Sequence, residues 1–224
     1  MKKKVIIISG GMDSTTLLYD LVKEYGAENI CALSFDYGSK HNWIELPLAK
    51  KSCEKLGVAH EIINLKEIFS HFKSTLLQGG EAIPEGHYAQ PNMKLTIVPN
   101  RNSILLSCAV GLAESIGGDK VFYGAHGGDH FIYEDCRPEF IKAFSAAEKL
   151  GTVNGIEIEA PYSDKNKITI LTRGIELGVD YSLTHTCYAP NEKGESCGKC
   201  GACCERLEAF KLNSITDPLV YYNV

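Results

Sequence analysis

No stretch of this 224-residue chain is long and apolar enough to span a bilayer. The basic start Lys2-Lys3-Lys4 leads only into the short run Val5-Ile6-Ile7-Ile8, too brief for the apolar segment of a secretory signal. Positive charge is in deficit: 23 Lys and Arg against 28 Asp and Glu leave a net charge of −5, which speaks against an extended RNA-binding face and for a small-molecule substrate. Internal repeats and low-complexity segments are absent as well. With no export signal, the nine cysteines are expected to be reduced thiols rather than a disulfide framework, so a tight cysteine cluster reads as a metal site. The expectation is a soluble, cytoplasmic protein with neither membrane nor nucleic acid as partner.

What is present begins at the amino end with Ser9-Gly10-Gly11-Met12-Asp13-Ser14-Thr15-Thr16, between the β-branched run Val5–Ile8 and the apolar pair Leu17-Leu18. The run reads as a buried parallel strand, the glycines as a turn that lets a ligand approach bare backbone, and Asp13 or Ser14 as a helix cap. A strand, a loop and a helix amino terminus make an anion site, where exposed N–H groups, the helix dipole and small hydroxyls suit phosphate. A Walker A loop is excluded, because no lysine lies in the loop and the Gly-Lys-Ser/Thr ending is missing. The segment resembles the PP-loop, Ser-Gly-Gly-x-Asp-Ser, of the ATP pyrophosphatase family, whose members adenylate a carboxyl or carbonyl-type oxygen and then admit a nucleophile. That resemblance implies ATP as co-substrate.

Strand-like and helix-like segments alternate: strands near 4–9, 29–36, 59–64, 120–125 and 156–160, and helices near 14–25, 42–57, 66–77, 101–116, 138–150, 167–178 and 203–213. This pattern predicts an α/β fold with a Rossmann-like parallel sheet and helices on both faces, with ligands bound at the carboxyl ends of the strands. Residues 78–96, with Gly79-Gly80, Pro84, Gly86 and Pro91, read as a long loop that either covers the site or is a plain surface excursion. The length predicts one PP-loop α/β domain over 1–180 and a small cysteine-rich region over 181–224 packed on the same core.

That region places Cys187, Cys197, Cys200, Cys203 and Cys204 within eighteen residues. Two-residue spacers bring thiolates around one ion, Gly198 and Gly201 permit the tight turn, and Cys187 returns as fourth ligand. The expected site is a closed, structural Zn(Cys)4 knuckle of Cys187, Cys197, Cys200 and Cys203, with Cys204 an alternative to Cys203. An iron–sulfur cluster is the rival, but the bacterial ferredoxin run needs a cysteine four residues after Cys203, where Leu207 stands. Cys31, Cys53, Cys108 and Cys136 read as ordinary buried thiols.

Between the two motifs stand Phe35-Asp36-Tyr37-Gly38-Ser39-Lys40-His41, Val98-Pro99-Asn100-Arg101-Asn102, Asp135-Cys136-Arg137-Pro138-Glu139-Phe140 and Leu183-Thr184-His185-Thr186-Cys187-Tyr188. With these, the chain resembles the 7-cyano-7-deazaguanine synthase family of queuosine biosynthesis over nearly its whole length. The resemblance implies conversion of 7-carboxy-7-deazaguanine and ammonia to the nitrile, through an adenylated carboxylate, an amide and an adenylated amide, with two ATP consumed. It also implies Mg2+ accompanying ATP, one structural zinc and a homodimer. No glutaminase motif is evident, so ammonia arrives free or from a partner.

On the family's ATP segment fall Ile8, Ser9, Gly10, Gly11, Met12, Asp13, Ser14, Thr15, Thr16, Leu17 and Leu18. Arg101 and Arg137 are candidates for phosphate or carboxylate, because guanidinium offers paired planar donors. Asp129 and Asp135 suit the N–H groups of a deazaguanine, Tyr37 or Tyr133 suit stacking on it, and Lys167 matches a lysine ahead of the family's last core helix. Two departures bear on substrate: His126-Gly127-Gly128-Asp129-His130-Phe131-Ile132-Tyr133 replaces the usual Asn-x-x-Asp-Tyr-Ser-Gly-Tyr, and Asn100 replaces alanine. Both are expected on the substrate side, leaving the ATP side intact, with His126 and His130 as weaker acid–base candidates. Alternative readings are a relative that stops at the amide or takes another carboxylate, a tRNA-modifying PP-loop enzyme, and a zinc-knuckle protein that binds ATP without turnover.

Overall fold

The computed structural model describes residues 2–224; Met1 and the side chain of Phe131 lie outside the description. Five strands, β1 (Lys4–Ile7), β2 (Ile30–Asp36), β3 (Ala59–Asn64), β4 (Lys120–Phe122) and β5 (Glu157–Glu159), form one parallel sheet in the order β3-β2-β1-β4-β5. The helices are α1 (Met12–Tyr25), α2 (Asn42–Leu56), α3 (Lys66–Phe69), α4 (Arg101–Ser115), α5 (Pro138–Gly151), α6 (Lys167–Leu177) and α7 (Gly201–Leu212). The strand order reverses between β1 and β4, and at such a switch point the loops leaving two neighbouring strands diverge and open a crevice.

Alternation of side chains along the strands builds two cores. Val5, Leu33, Phe35 and Val121 face Leu105, Leu106, Ala109 and Val110 of α4, with Phe140 and Phe144 of α5 beside them. Ile6, Ile8, Ala32 and Phe122 point the other way, onto Leu17, Leu18 and Leu21 of α1, Ala49 and Cys53 of α2 and Ile170 of α6. Both faces are therefore covered, as parallel sheets require.

The predicted helix over 66–77 ends at Phe69. Beyond it the backbone is drawn into tertiary bonds: Thr75 N donates to Leu95 O, Lys40 N to Leu76 O and Gln78 N to Gly38 O. Those bonds, with Leu76 and Leu77 buried, outweigh local helix preference. Residues 78–96 are not a free excursion. Met93 is buried, Gly86 N donates to Lys199 O, and Tyr88 reaches the crevice, so the segment forms a wall between the site and the cysteine-rich region.

That region is fastened to the core by α7. Ala209 and Phe210 pack with Met12, Leu171 and Tyr181. Arg206, 1% exposed, pairs with Asp217 at 2.7 Å and donates to Thr184 Oγ1 at 2.8 Å and Tyr181 O at 3.2 Å. A buried guanidinium is tolerated only when its donors are satisfied in this way.

Candidate active site and metal centre

The crevice at the switch point is a cleft of about 210 Å³ lined by Ser9, Gly11, Asp13 and Ser14 from the glycine-rich loop and by residues from seven further segments. Gly10 has φ +91, and a Cβ there would stand 2.3 Å from the carbonyl oxygen of Glu45, so only glycine lets the loop seat on α2. The helix cap differs from expectation. Gly11, not Asp13 or Ser14, is the N-cap of α1, and no side chain caps that end. Ser14 Oγ instead donates to Gly11 O at 3.3 Å and meets Ser9 Oγ at 3.1 Å, so the two hydroxyls brace the loop and the amino end of α1 stays open to an anion.

Of the eleven residues expected on the ATP segment, four line the cleft. Ile8, Leu17 and Leu18 are core residues beneath it, and Met12 packs against α7. Thr16 Oγ1 bonds Met12 O and Tyr181 OH, Thr15 is buried with no partner for its hydroxyl, and Gly10 supplies the turn.

Lys167 opens α6, where the helix dipole disfavours a cation, and it is 6% exposed. Burial alone pushes its pKa down, but Asp13 at 3.1 Å and Glu205 at 2.9 Å, with Asp129 farther off, outweigh that and hold it charged. His126 Nδ1 accepts from Gly128 N at 3.1 Å, so its proton sits on Nε2, which faces Asp129 Oδ1 at 3.7 Å, Asp13 Oδ2 at 3.9 Å and Glu205 Oε2 at 4.0 Å. Burial raises the Asp129 pKa, yet His126, the Tyr88 hydroxyl at 2.7 Å and Lys167 bring it below the ordinary carboxylate value. The divergent 126–133 segment, expected on the substrate side, thus also comes within 3.9 Å of Asp13 in the glycine-rich motif.

Arg101, Tyr37 and Tyr133 line the cleft together, and Arg101 lies 6.0 Å over the Tyr133 ring. Asp135 does not line it. Its carboxylate accepts from Asn102 N at 3.0 Å and Asn102 Nδ2 at 3.2 Å, capping the first turn of α4, and it faces an adjoining pocket of about 260 Å³ shared with Asn100, Arg101 and Tyr133. Asn100 has φ +53, a left-handed conformation that asparagine adopts more readily than alanine. Arg137 lies outside the cleft, half exposed, donating to His130 O, and His130 does not line it either.

Several cleft residues were not singled out as site residues from sequence: Tyr88, Tyr188, Glu205, and the buried group His41, Glu45 and His185. Burial pushes His41 down to about 3 and His185 down to about 4, and raises Glu45 to about 8. The one sequence signal for the first pair is the i,i+4 spacing of His41 and Glu45, which places them on one face at the start of α2.

Cys187, Cys197, Cys200 and Cys203 are all buried, with their Sγ atoms within 4.8 Å of one another. Cys197 Sγ and Cys203 Sγ are 3.9 Å apart, far beyond a disulfide and close to the edge of roughly 3.8 Å expected of a tetrahedron with metal–sulfur bonds of about 2.3 Å. Backbone N–H groups of Cys197 and Ala189 point at Cys187 Sγ, and those of Lys199 and Cys200 at Cys197 Sγ, which suits thiolate charge. Cys204 is partly exposed and turns toward Lys199 O, away from the cluster. The four thiols can hold a metal ion, and the set fits the ion inferred from spacing.

Residues 3–214 match the family model described as queuosine biosynthesis protein QueC. A curated 7-cyano-7-deazaguanine synthase of Hahella chejuensis is 52% identical over 99% of this chain and 94% of its own length. The 7-cyano-7-deazaguanine synthase 2 of Colwellia psychrerythraea is 51% identical over 99% of both. Among solved structures, the U34-tRNA thiolase NcsA of Methanococcus maripaludis shares the fold with a TM-score of 0.53 and 16% identity, covering 95% of this chain and 65% of that one. An NMN synthetase of Francisella tularensis does so with a TM-score of 0.52 and 14% identity, covering 96% and 78%.

Proposed function

The chain belongs to the QueC family of queuosine biosynthesis proteins, and we propose that it converts 7-carboxy-7-deazaguanine and ammonia to 7-cyano-7-deazaguanine with ATP. The observation that carries this reading is that the uncapped amino end of α1, the braced Ser9 and Ser14 hydroxyls and Arg101 all face one cleft. Such a cleft holds a triphosphate and a carboxylate close enough to react.

In this reading the α1 N–H groups, Ser9, Ser14 and Lys167 hold the phosphates. The carboxylate oxygen attacks the α-phosphorus and pyrophosphate leaves; ammonia then displaces AMP to give the amide. A second adenylation on the amide oxygen, followed by loss of AMP, leaves the nitrile. Arg101 offsets the negative charge that develops in each adenylation, and Tyr37 and Tyr133 flank a flat heterocycle. Asp129 is placed to accept an N–H of the base. Asp135 and Arg137 act by shaping the walls, through the α4 cap and the 130–137 turn. No protein nucleophile is required, because positioning and charge stabilisation supply the catalysis.

Asp13 Oδ1 is buried without a hydrogen-bond partner, and such an oxygen suits Mg2+ accompanying ATP. Zinc would be held by Cys187, Cys197, Cys200 and Cys203, and four thiolates would leave it a structural cross-link of 187–203. We assign residues 1–180 to the catalytic unit and 181–224 to the knuckle, in a cytoplasmic homodimer that uses free or partner-supplied ammonia. No described helix is long and apolar enough to cross a membrane.

Mass spectrometry of the base and nucleotide products from 7-carboxy-7-deazaguanine, ammonium, Mg2+ and ATP tests the reading. Nitrile with AMP is the expected result. Amide accumulating without nitrile would instead assign an altered endpoint to the His126 segment, and an unchanged base would overturn the substrate assignment.

A further inference from the structure

Four carboxylates line the cleft, and three of them have partners: Asp13 and Glu205 hold Lys167, and Asp129 accepts from Tyr88 OH and His126 N. Glu45 is different. Among the described residues no hydrogen bond reaches its carboxyl group, and the basic group that faces it within 4 Å is His41 Nε2, at 3.7 Å. His41 is itself 3% exposed, and its Nδ1 is buried with no hydrogen-bond partner. The His41 ring lies 5.4 Å from that of Tyr188, so an aromatic face closes one side. Beside this group His185 donates its Nε2 proton to Cys187 O.

A buried ring nitrogen without a partner, as His41 Nδ1 is, is costly unless a ligand supplies one, and the Glu45 carboxyl group beside it lines the cleft with no donor of its own. The missing partner must be small, because the group is nearly closed; cationic, because it faces a carboxyl group, an imidazole and a ring face; and rich in N–H. Arg101 and the phosphate loop line the same cleft, so a ligand held here stands beside the reacting carboxyl group.

We propose that His41 and Glu45 form an ammonium site, in which the Glu45 carboxylate removes one proton and releases ammonia for attack on the adenylated carboxyl carbon. The inference rests on the function proposed above. Ammonium gives its proton to Glu45, and the N–H electron pair becomes the lone pair of ammonia. That pair forms the C–N bond as the C–O bond to AMP breaks; AMP leaves with the bonding electrons, and the adduct's surplus proton passes to solvent. Burial sets the proton affinity of Glu45 near neutrality, where a general base works best, and bound ammonium favours its ionised form.

The experiment compares wild type, Glu45→Gln and Glu45→Asp, with ammonium chloride or hydroxylamine as nucleophile, following AMP and the modified base. Hydroxylamine is uncharged at neutral pH and needs no prior loss of a proton; it gives the hydroxamate and AMP. For Glu45→Gln the KM for ammonium should rise by roughly tenfold or more, as expected for loss of a charged hydrogen bond. The KM for ATP and hydroxamate formation should stay within about twofold of wild type, and Glu45→Asp should recover part of the ammonium affinity. Equal loss with both nucleophiles, or a raised KM for ATP, would mean that Glu45 only supports the Gly10 turn and would overturn the proposal, as would an unchanged KM for ammonium. If wild type itself forms neither nitrile nor hydroxamate from the carboxylated base, the function reading fails and the ammonium site falls with it.

Discussion

Lys167 Nζ lies 3.1 Å from Asp13 Oδ2, tying the first residue of α6 to the first turn of α1, at the loop where phosphate would sit. The same nitrogen reaches Glu205 at 2.9 Å, two residues beyond the last cysteine of the metal cluster. The glycine-rich loop and the cysteine-rich region are therefore coupled through one buried cation.

Lys167→Met leaves two partly buried carboxylates without the buried cation between them. Removing one partner of a buried ion pair costs about 3 kcal/mol. For a chain of this size that corresponds to a fall in Tm of roughly 6–12 °C. Thermal unfolding reads the first effect, and ATP-dependent AMP release, expected to be nearly lost, reads the second.

The two adjacent cysteines should behave oppositely. Cys203→Ser removes a ligand from the buried set and should abolish metal retention and lower expression of folded protein, whereas Cys204→Ser should retain one ion per chain. Metal content by mass spectrometry of the native protein separates them, and equal loss in both variants would refute the ligand assignment.

Gly10→Ala forces a Cβ into the Glu45 carbonyl at a positive φ. The expected cost is about 1–3 kcal/mol, together with loss of ATP turnover. Gly111 supplies the contrast: it sits inside α4 at negative φ with open space around its missing Cβ, so Gly111→Ala should stabilise by about 0.5–1 kcal/mol. Denaturant titration of the pair decides the matter.

Stability should pass through a maximum near pH 6.5 as far as three buried groups decide it. His41 and His185 have pKa values lowered to about 3 and about 4, so their contributions are present above the unfolded value near 6.5 and are lost as the pH falls toward those folded values. Glu45 is raised to about 8, so its contribution is full below the unfolded value near 4.3 and is lost as the pH climbs through 8. Each group has a limiting slope of about 1.4 kcal/mol per pH unit. Between pH 6.5 and 8 Glu45 acts alone among the three, so Glu45→Gln should flatten the decline in Tm there; a decline that persists in full would exclude Glu45 as its source.

Much of the site was legible because its parts are contiguous. A strand, two glycines and small hydroxyls in one octapeptide define the phosphate loop, and Cys-x2-Cys-x2-Cys defines the turn of a metal knuckle. Arg101 stood out for the paired donors of its guanidinium within a family-like segment, and Lys167 for matching a lysine ahead of the family's last core helix. The alternation that predicted the sheet failed at 66–77, where Thr75, Leu76 and the following Gln78 exchange helical bonds for bonds to Leu95, Lys40 and Gly38.

The sequence by itself determined the parallel α/β architecture, the anion loop and the four-thiol set, because each follows from local spacing that backbone geometry converts directly into shape. Only the tertiary structure decided which candidates face the cleft. It turned Asp135 into a cap for α4 and left Arg137 outside, and it brought His126 of the divergent segment onto Asp13. It also buried Glu45 and His41 beneath the Gly10 turn, where the loss of water, which no pattern of residues records, gives an ordinary carboxyl group a proton affinity near neutrality.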